Sequence, residues 1–173
     1  MSINAIPEKI VNYNAYLDND KLIGLNTDVT LPKLEQMTST VSGAGIAGEY
    51  ESTVPGHFGK IEIDVTFNTV TEQSAELLIP GAKTLVFRAS QQSYDVASGA
   101  SKFRPLKVTT KILSKGVDLG KLTVGKQTGT KNTFEVIYLK VEENGKELIE
   151  LDKLNFVFKV NGVDVLAAIR NQI

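Results

Sequence analysis

Two Asn-Gly dipeptides set in strand-like sequence constrain this chain more than any other feature. They are Asn144-Gly145, inside Val141-Glu-Glu-Asn-Gly-Lys-Glu-Leu148, and Asn161-Gly162, inside Phe158-Lys-Val-Asn-Gly-Val-Asp-Val165. A type I′ turn needs positive φ at both central residues, and Asn followed by Gly adopts that at little cost, so the pair between apolar runs specifies an antiparallel hairpin. The C-terminal part of the chain therefore reads as antiparallel sheet, and no catalytic residue pattern accompanies it.

Further strands follow from period-two alternation. Ile61, Ile63, Val65 and Phe67 alternate with Glu62, Asp64, Thr66 and Asn68, giving one buried and one wet face. Leu106, Val108, Thr110 and Ile112 alternate with Lys107, Thr109 and Lys111 in the same way. Residues 134–141 are apolar on both faces and should be covered on both sides or lie at a subunit contact. Ala15-Tyr-Leu17, an Asp18-Asn-Asp20 turn and Lys21-Leu-Ile23-Gly24 suggest a short hairpin. Residues 25–34 read as a strand with Pro32 at an edge or end, 85–87, 148–151 and 154–160 as further strands, and 122–126 as a weaker one. A helix is expected after Phe67, with a capping box from Thr69 to Glu72, a stripe of Ala75, Leu78 and Ile79, and a stop at Pro80-Gly81. Asp164 is expected to N-cap a final short helix carrying Leu166, Ile169 and Ile173. Residues 38–59 and 90–101 read as loops, the first glycine-rich and long enough to suggest function. The expected fold is mainly β: one antiparallel sandwich or partial barrel spanning 1–173, with one or two short helices.

The chain has 173 residues, 42% of them hydrophobic, which is enough for one substantial core. It has no cysteine, so disulfides, thiolate metal sites and Cys nucleophiles are excluded. No apolar run is long enough to span a membrane. The start, Met1 to Lys9, lacks the basic n-region and apolar core of a signal peptide. Nineteen basic residues against twenty acidic ones, without a Lys/Arg cluster, argue against a nucleic-acid grip through counterion release.

Motifs that carry chemistry elsewhere fail here. Gly43-Ala-Gly45-Ile-Ala-Gly48 matches a dinucleotide fingerprint but precedes Glu49-Tyr-Glu-Ser-Thr-Val-Pro55-Gly56, which cannot supply the required helix. Gly120-Lys-Leu-Thr-Val-Gly125-Lys126-Gln127 ends in Gln where a P-loop needs Ser or Thr for Mg²⁺. His57 is the only histidine and has no evident nucleophile or orienting acid, so it reads as a turn or interface residue. Glu142, Glu143, Glu147, Glu150 and Asp152 lack EF-hand spacing and read as a solvated hairpin face. Phe134, Phe156 and Phe158 read as core. No cofactor, metal or catalytic site is expected, and the chain does not read as an enzyme.

Three stretches taken together resemble a known family: Val29-Thr-Leu-Pro32-Lys-Leu34 followed by the Gly43-Ala-Gly45 segment, then Glu142-Glu-Asn-Gly145-Lys-Glu-Leu148-Ile-Glu-Leu-Asp152, then Lys159-Val-Asn-Gly162-Val-Asp164 before a terminal helix. In order, spacing and length the chain is similar to the major tail tube proteins of contractile-tailed phages and phage-tail-like bacteriocins. The resemblance implies a structural subunit that hexamerises into rings, with strands lining a tube, and rings stacked into a hollow conduit. The implied partners are further copies of the chain, sheath, tape-measure, baseplate and tail-terminator proteins, with DNA passing through unbound. The implied location is the virion tail, assembled in the bacterial cytoplasm. The inter-ring loop carries over to residues 38–59, with Thr38, Gly43, Ala44, Gly45, Ile46, Gly48, Tyr50 and His57 as contact residues. The wet rows Glu62, Asp64, Thr66, Asn68 and Lys107, Thr109, Lys111 are candidates to face the lumen. The tube ring of a bacterial contractile secretion system is the neighbouring alternative. A β-sandwich ligand-binding module would want exposed aromatics, yet there is no Trp.

Overall fold

The structure, a computed structural model, describes residues 5–173; the first four, part of the stretch read above for a leader, lie outside it. Strand β1 (Ala5–Leu17) turns into β2 (Asp20–Leu22) through Asp18 (φ 47°) and Asn19 (φ 83°), the short hairpin expected there. Strands β3 (Gln36–Ser42) and β4 (Glu49–Phe58) pair only with each other. Then follow β5 (Glu62–Phe67), α1 (Glu72–Glu76), β6 (Ala82–Asp95), β7 (Ala100–Asp118), β8 (Thr130–Glu143), β9 (Lys146–Asp152), β10 (Val157–Val160), β11 (Val163–Asp164) and α2 (Ala167–Arg170). One antiparallel sheet runs in the order β11-β10-β9-β8-β7-β6-β1-β2, with β5 also on β8, and it does not close into a barrel. Both Asn-Gly pairs form the expected turns, with φ 50° and 76° at Asn144 and Gly145 and φ 50° and 81° at Asn161 and Gly162.

Strand β8 organises the sheet. Its first half, Thr130 to Glu135, pairs with β5, and its second half, Tyr138 to Glu143, pairs with β9 on the same edge. The register against β7 shifts between Lys111/Ile112, opposite Tyr138 and Val136, so an extra residue bends the sheet where β5 and β9 part. The curled sheet buries Leu17, Ile61, Ile63, Val65, Phe67, Leu85, Phe87, Val108, Ile112, Phe134, Val136, Leu139 and Leu151 in one core. Fully burying each such side chain contributes about 1.5–3 kcal/mol. The apolar stretch 134–141 is flanked by strands on both edges, and Phe134, Val136 and Leu139 point into that core.

Several expected elements are corrected. Residues 25–34 are not a ladder strand. They touch β5 only at isolated points, Leu25↔Phe67 and Thr30↔Asp64, and between these the Tyr13 hydroxyl of β1 donates to the Asn26 carbonyl at 2.7 Å. The two contacts are five residues apart on this segment but three apart on β5, so the segment bulges off the ladder, and it covers the core with Leu25, Val29 and Leu34 instead. Of residues 90–101 only 96–99 are a turn, and the rest are the far part of the β6–β7 ladder, which pairs from Ala82↔Leu113 to Asp95↔Ala100. Their polar side chains hid the strand because much of that region lies beyond the core. Residues 38–59 are likewise not a loop, since β3 and β4 fill most of them. Its outer part is mostly exposed on both faces and its inner part is only half-buried, on Ser52, Val54, Gly56 and Phe58, so apolar alternation barely marks it.

Helix α1 has five residues, and its capping box joins Thr71 and Ser74 rather than Thr69 and Glu72. Ser74 and Leu77 turn inward, whereas Leu78 and Ile79 are exposed, because the helix stops before a full apolar stripe can form. Residues 122–126 form an exposed loop, not a strand. Phe156 lies outside the core, with φ 52° in a turn, while Phe158 packs against the core's margin. Residues 154–156 belong to that turn, so the strand there starts at Val157. Asp164 is not the N-cap of α2. That position is Leu166, whose N–H donates to the Asp164 carboxylate at 3.0 Å, and Ile173 is exposed.

Candidate assembly surfaces

The β3–β4 hairpin stands apart from the main sheet. Thr38 pairs with Thr53 and Ser42 with Glu49, so the ladder runs out to a tip formed by residues 43–48. Gly45 (φ 89°) and Gly48 (φ 109°) turn the chain there in open space. Ala44 lies in the same tip, Ile46 is 42% exposed, and Tyr50, just past the tip on β4, is 55% exposed. Six of the eight sequence-derived contact residues therefore lie at or beside the tip of one arm, and Thr38 lies on the same arm nearer its root.

His57 stands at the arm's root. Its ring lies 5.7 Å from that of Phe156, and Phe58 meets Phe158 edge-on at 4.9 Å. Gly56 (φ 77°) is required there because a Cβ would lie 2.5 Å from Leu166 Cδ1 and 2.8 Å from Phe156 Cε2. Arg170 Nη1 donates to the Phe156 carbonyl at 3.0 Å and its guanidinium pairs with Asp164, while Lys153 Nζ donates to the Gly59 carbonyl at 3.0 Å. The C-terminal segment thus clamps the root and leaves the tip free. Sequence reasoning missed Gly56 and Phe156. The Pro55-Gly56 dipeptide was the available signal, but nothing local identified what Gly56 meets.

Both wet rows lie on the face of the main sheet opposite the core. Glu62, Asp64 and Thr66 oppose Glu135, Thr133 and Lys131 across β5–β8. Lys107, Thr109 and Lys111 oppose Glu142, Lys140 and Tyr138 across β7–β8. Asn68 leaves the row beyond the end of β5. Its N–H donates to the Gly24 carbonyl at 2.8 Å, and its own carbonyl accepts from Thr128 and Gly129. The face carries a charge ladder: Lys107–Glu142 (3.6 Å), Lys140 to both Glu142 and Glu147 (3.4 Å each), Lys159–Glu150 (2.6 Å) and Lys131–Asp64 (3.5 Å). Lys111 sits 5.7 Å above the Tyr138 ring.

Besides the outer edges of the end strands β2 and β11 and of the β3–β4 hairpin, long stretches of β1 and β7 lack a partner on one side. Outside β6, β1 pairs with β2 only at Ala15 to Leu17, so residues 5–14 present a free edge. On β7, pairing with β8 begins at Leu106, and the Pro105 carbonyl already accepts from the Asn144 N–H at 2.9 Å, so residues 100–104 present another. Pro105 stands at the end of that edge, where a missing N–H costs no ladder bond.

Among the described residues no group of three or more His, Cys, Asp or Glu is placed to hold a metal ion, and no helix is long and apolar enough to cross a membrane. What the structure offers is a hairpin arm, open sheet edges and a charge-paired face. A family profile described as phage tail tube protein FII matches residues 7–173. This chain belongs to that family.

The family member is similar to the tail tube protein of Escherichia phage P2, with 27% identity over 173 residues and 98% of each chain covered. It is also similar to the major tail tube protein of Serratia phage KSP20, with 26% identity over 159 residues covering 91% of this chain and 90% of that one. The phage tail tube subunit described here is thus a structural protein of the virion tail.

Acid should loosen this tail tube subunit. Lys102 holds the Asp95 carboxyl below its usual range, Lys159 does the same for Glu150, and Arg170 for Asp164. A carboxylate with a depressed folded-state pKa contributes stability that is present above its unfolded value and lost as pH falls through the folded one, because the unfolded chain binds the proton first. Thermal unfolding from pH 7 downward should show a nearly flat Tm until about pH 4 and a progressive fall below it. A Tm unchanged down to pH 2 would refute these pairings.

Proposed function

We propose that six copies of this chain close into a ring and that such rings stack into the inner tube of a contractile phage tail, surrounded by a sheath and set in length by a tape-measure protein. Baseplate and tail-terminator proteins would bound its two ends. The observation that carries the reading is the pair of free edges. An unpaired edge invites association, and closing identical copies into a barrel removes it. Strands β1 and β7 are each antiparallel to β6 and hence parallel to one another. Copies related by a ring axis keep one orientation, so residues 5–14 of one copy pair in parallel with residues 100–104 of the next. Such a contact is heterologous and closes, as a ring requires.

In this arrangement the non-core face lines the channel, with Lys107, Thr109 and Lys111 near its middle and Glu62, Asp64 and Thr66 toward a margin. The lysines Lys107, Lys131, Lys140 and Lys159 are already paired with carboxylates on the protein. Passing DNA would therefore displace few counterions and gain little by binding, which suits a conduit. The arm carrying Thr38, Gly43, Ala44, Gly45, Ile46, Gly48 and Tyr50 reaches a neighbouring ring, and His57 serves at its root.

Negative-stain electron microscopy of concentrated protein tests the reading. Hollow rods or six-fold rings are expected. Featureless monomers at every concentration, alone and with the other tail components, would overturn it.

A further inference from the structure

The loop between β7 and β8 is built rather than slack. Lys121 N–H donates to the Thr128 carbonyl at 3.0 Å and Lys126 N–H to that of Thr123 at 3.1 Å. Thr128 N–H reaches the Asn68 carbonyl at 2.8 Å, and the Thr130 hydroxyl donates to the Leu119 carbonyl at 3.2 Å. Gly120 (φ 81°) is obligatory, since a Cβ there would lie 2.1 Å from the Thr128 carbonyl oxygen. This is the segment whose glycines and lysine imitate a P-loop. What the hydrogen bonds hold out is apolar: Leu122 is 89% exposed and Val124 fully so. Its only charges are Lys121 and Lys126, both exposed.

The arm has the opposite character. Between Glu35 and Lys60 the only acidic or basic residues other than His57 are Glu49 and Glu51, exposed beside the tip with Ile46 and Tyr50. Among the described residues no ion pair engages Lys121, Lys126, Glu49 or Glu51, although most other acids on the main sheet have a partner. The arm is rooted at the start of β5, through Gly59 and Ile61, and the loop is tied to that strand's end through Asn68. The two attachment points are separated by about 20 Å of strand, at opposite ends of β5.

We propose that the acidic arm tip of one copy docks on the basic 119–129 loop of a copy in the adjacent ring. Glu49 and Glu51 face Lys121 and Lys126, while Ile46 and Tyr50 cover Leu122 and Val124. This rests on the tube reading and names the receiving surface within it. An apolar centre rimmed by opposite charges gives both affinity and register. Because one chain carries both halves at different places, the contact is heterologous and propagates along the tube axis.

Charge reversal separates this docking from the tube reading itself. K121E/K126E and E49K/E51K should each lower the yield of rods by roughly tenfold or more at low salt, and the four-fold variant should restore it. Wild-type rods should form less readily as salt is raised. All four positions are exposed, so circular dichroism and thermal unfolding of every variant should match wild type. If wild type forms rods and K121E/K126E forms them equally well, the docking is wrong and the tube reading stands. If each reversal abolishes rods in well-folded protein but their combination does not restore them, this pairing is also wrong. If wild type forms no rods at all, both fail together.

Discussion

Replacing Phe67 by alanine is expected to lower the unfolding free energy by about 3–5 kcal/mol, the range for truncating a buried aromatic ring. Phe67 has no exposed surface, ends the cleanest alternating strand, pairs with Thr130 of β8 and is bridged by Leu25. Truncation would open a cavity where three separate segments meet, leaving little freedom to collapse around it. For a chain of this size that loss is a fall in Tm of roughly 6–20 °C. Thermal unfolding followed by circular dichroism checks it. A shift under about 2 °C would mean that the ring is not packed as described. Phe156→Ala should cost less, because Phe156 lies outside the core and supports the arm's root.

The second large effect is on assembly. Ser42 and Glu49 are Cα partners at the end of the arm. Joining them by Asn-Gly in place of residues 43–48 should therefore keep a two-stranded hairpin with a favoured two-residue turn. The variant loses Ile46 and the glycine tip but touches no core residue, so its unfolding should stay within about 0.5 kcal/mol of wild type. Rods should vanish from electron micrographs of the concentrated variant, leaving at most single rings. Rods of normal length would show that the tip does not reach a neighbouring ring. Loss of cooperative unfolding would show instead that the arm helps to hold the subunit together.

The expected strands and hairpins that the structure bears out share one property: their signal is local. Asn144-Gly145 and Asn161-Gly162 specify their turns by backbone stereochemistry, whatever the rest of the chain does. Ile61 to Phe67 alternates because one face of that strand is buried along its whole length. Where burial is partial the signal fades. The first ten residues of β1 went unread because register shifts between Pro7/Lys9 and Ile10/Asn12 break the alternation, and because that stretch is mostly exposed. The arm and the far part of the β6–β7 ladder look like loops for a related reason. They are strands held by backbone pairing, with little or no apolar face to announce them. The site was legible in part: the tip glycines were found, while Gly56 and the Lys121–Lys126 loop acquire meaning only from what lies next to them in space.

By itself, then, the sequence determined an antiparallel β protein with specified turns and one wet row on each of two strands, since turn geometry and side-chain alternation depend on neighbours within a few residues. Only the tertiary structure decided that β5 and β9 share one edge of β8, that both wet rows occupy one face, and that β1 and β7 keep free edges. Pairing between distant strands is set by which registers bury the most apolar surface together, and no short window of sequence contains that competition.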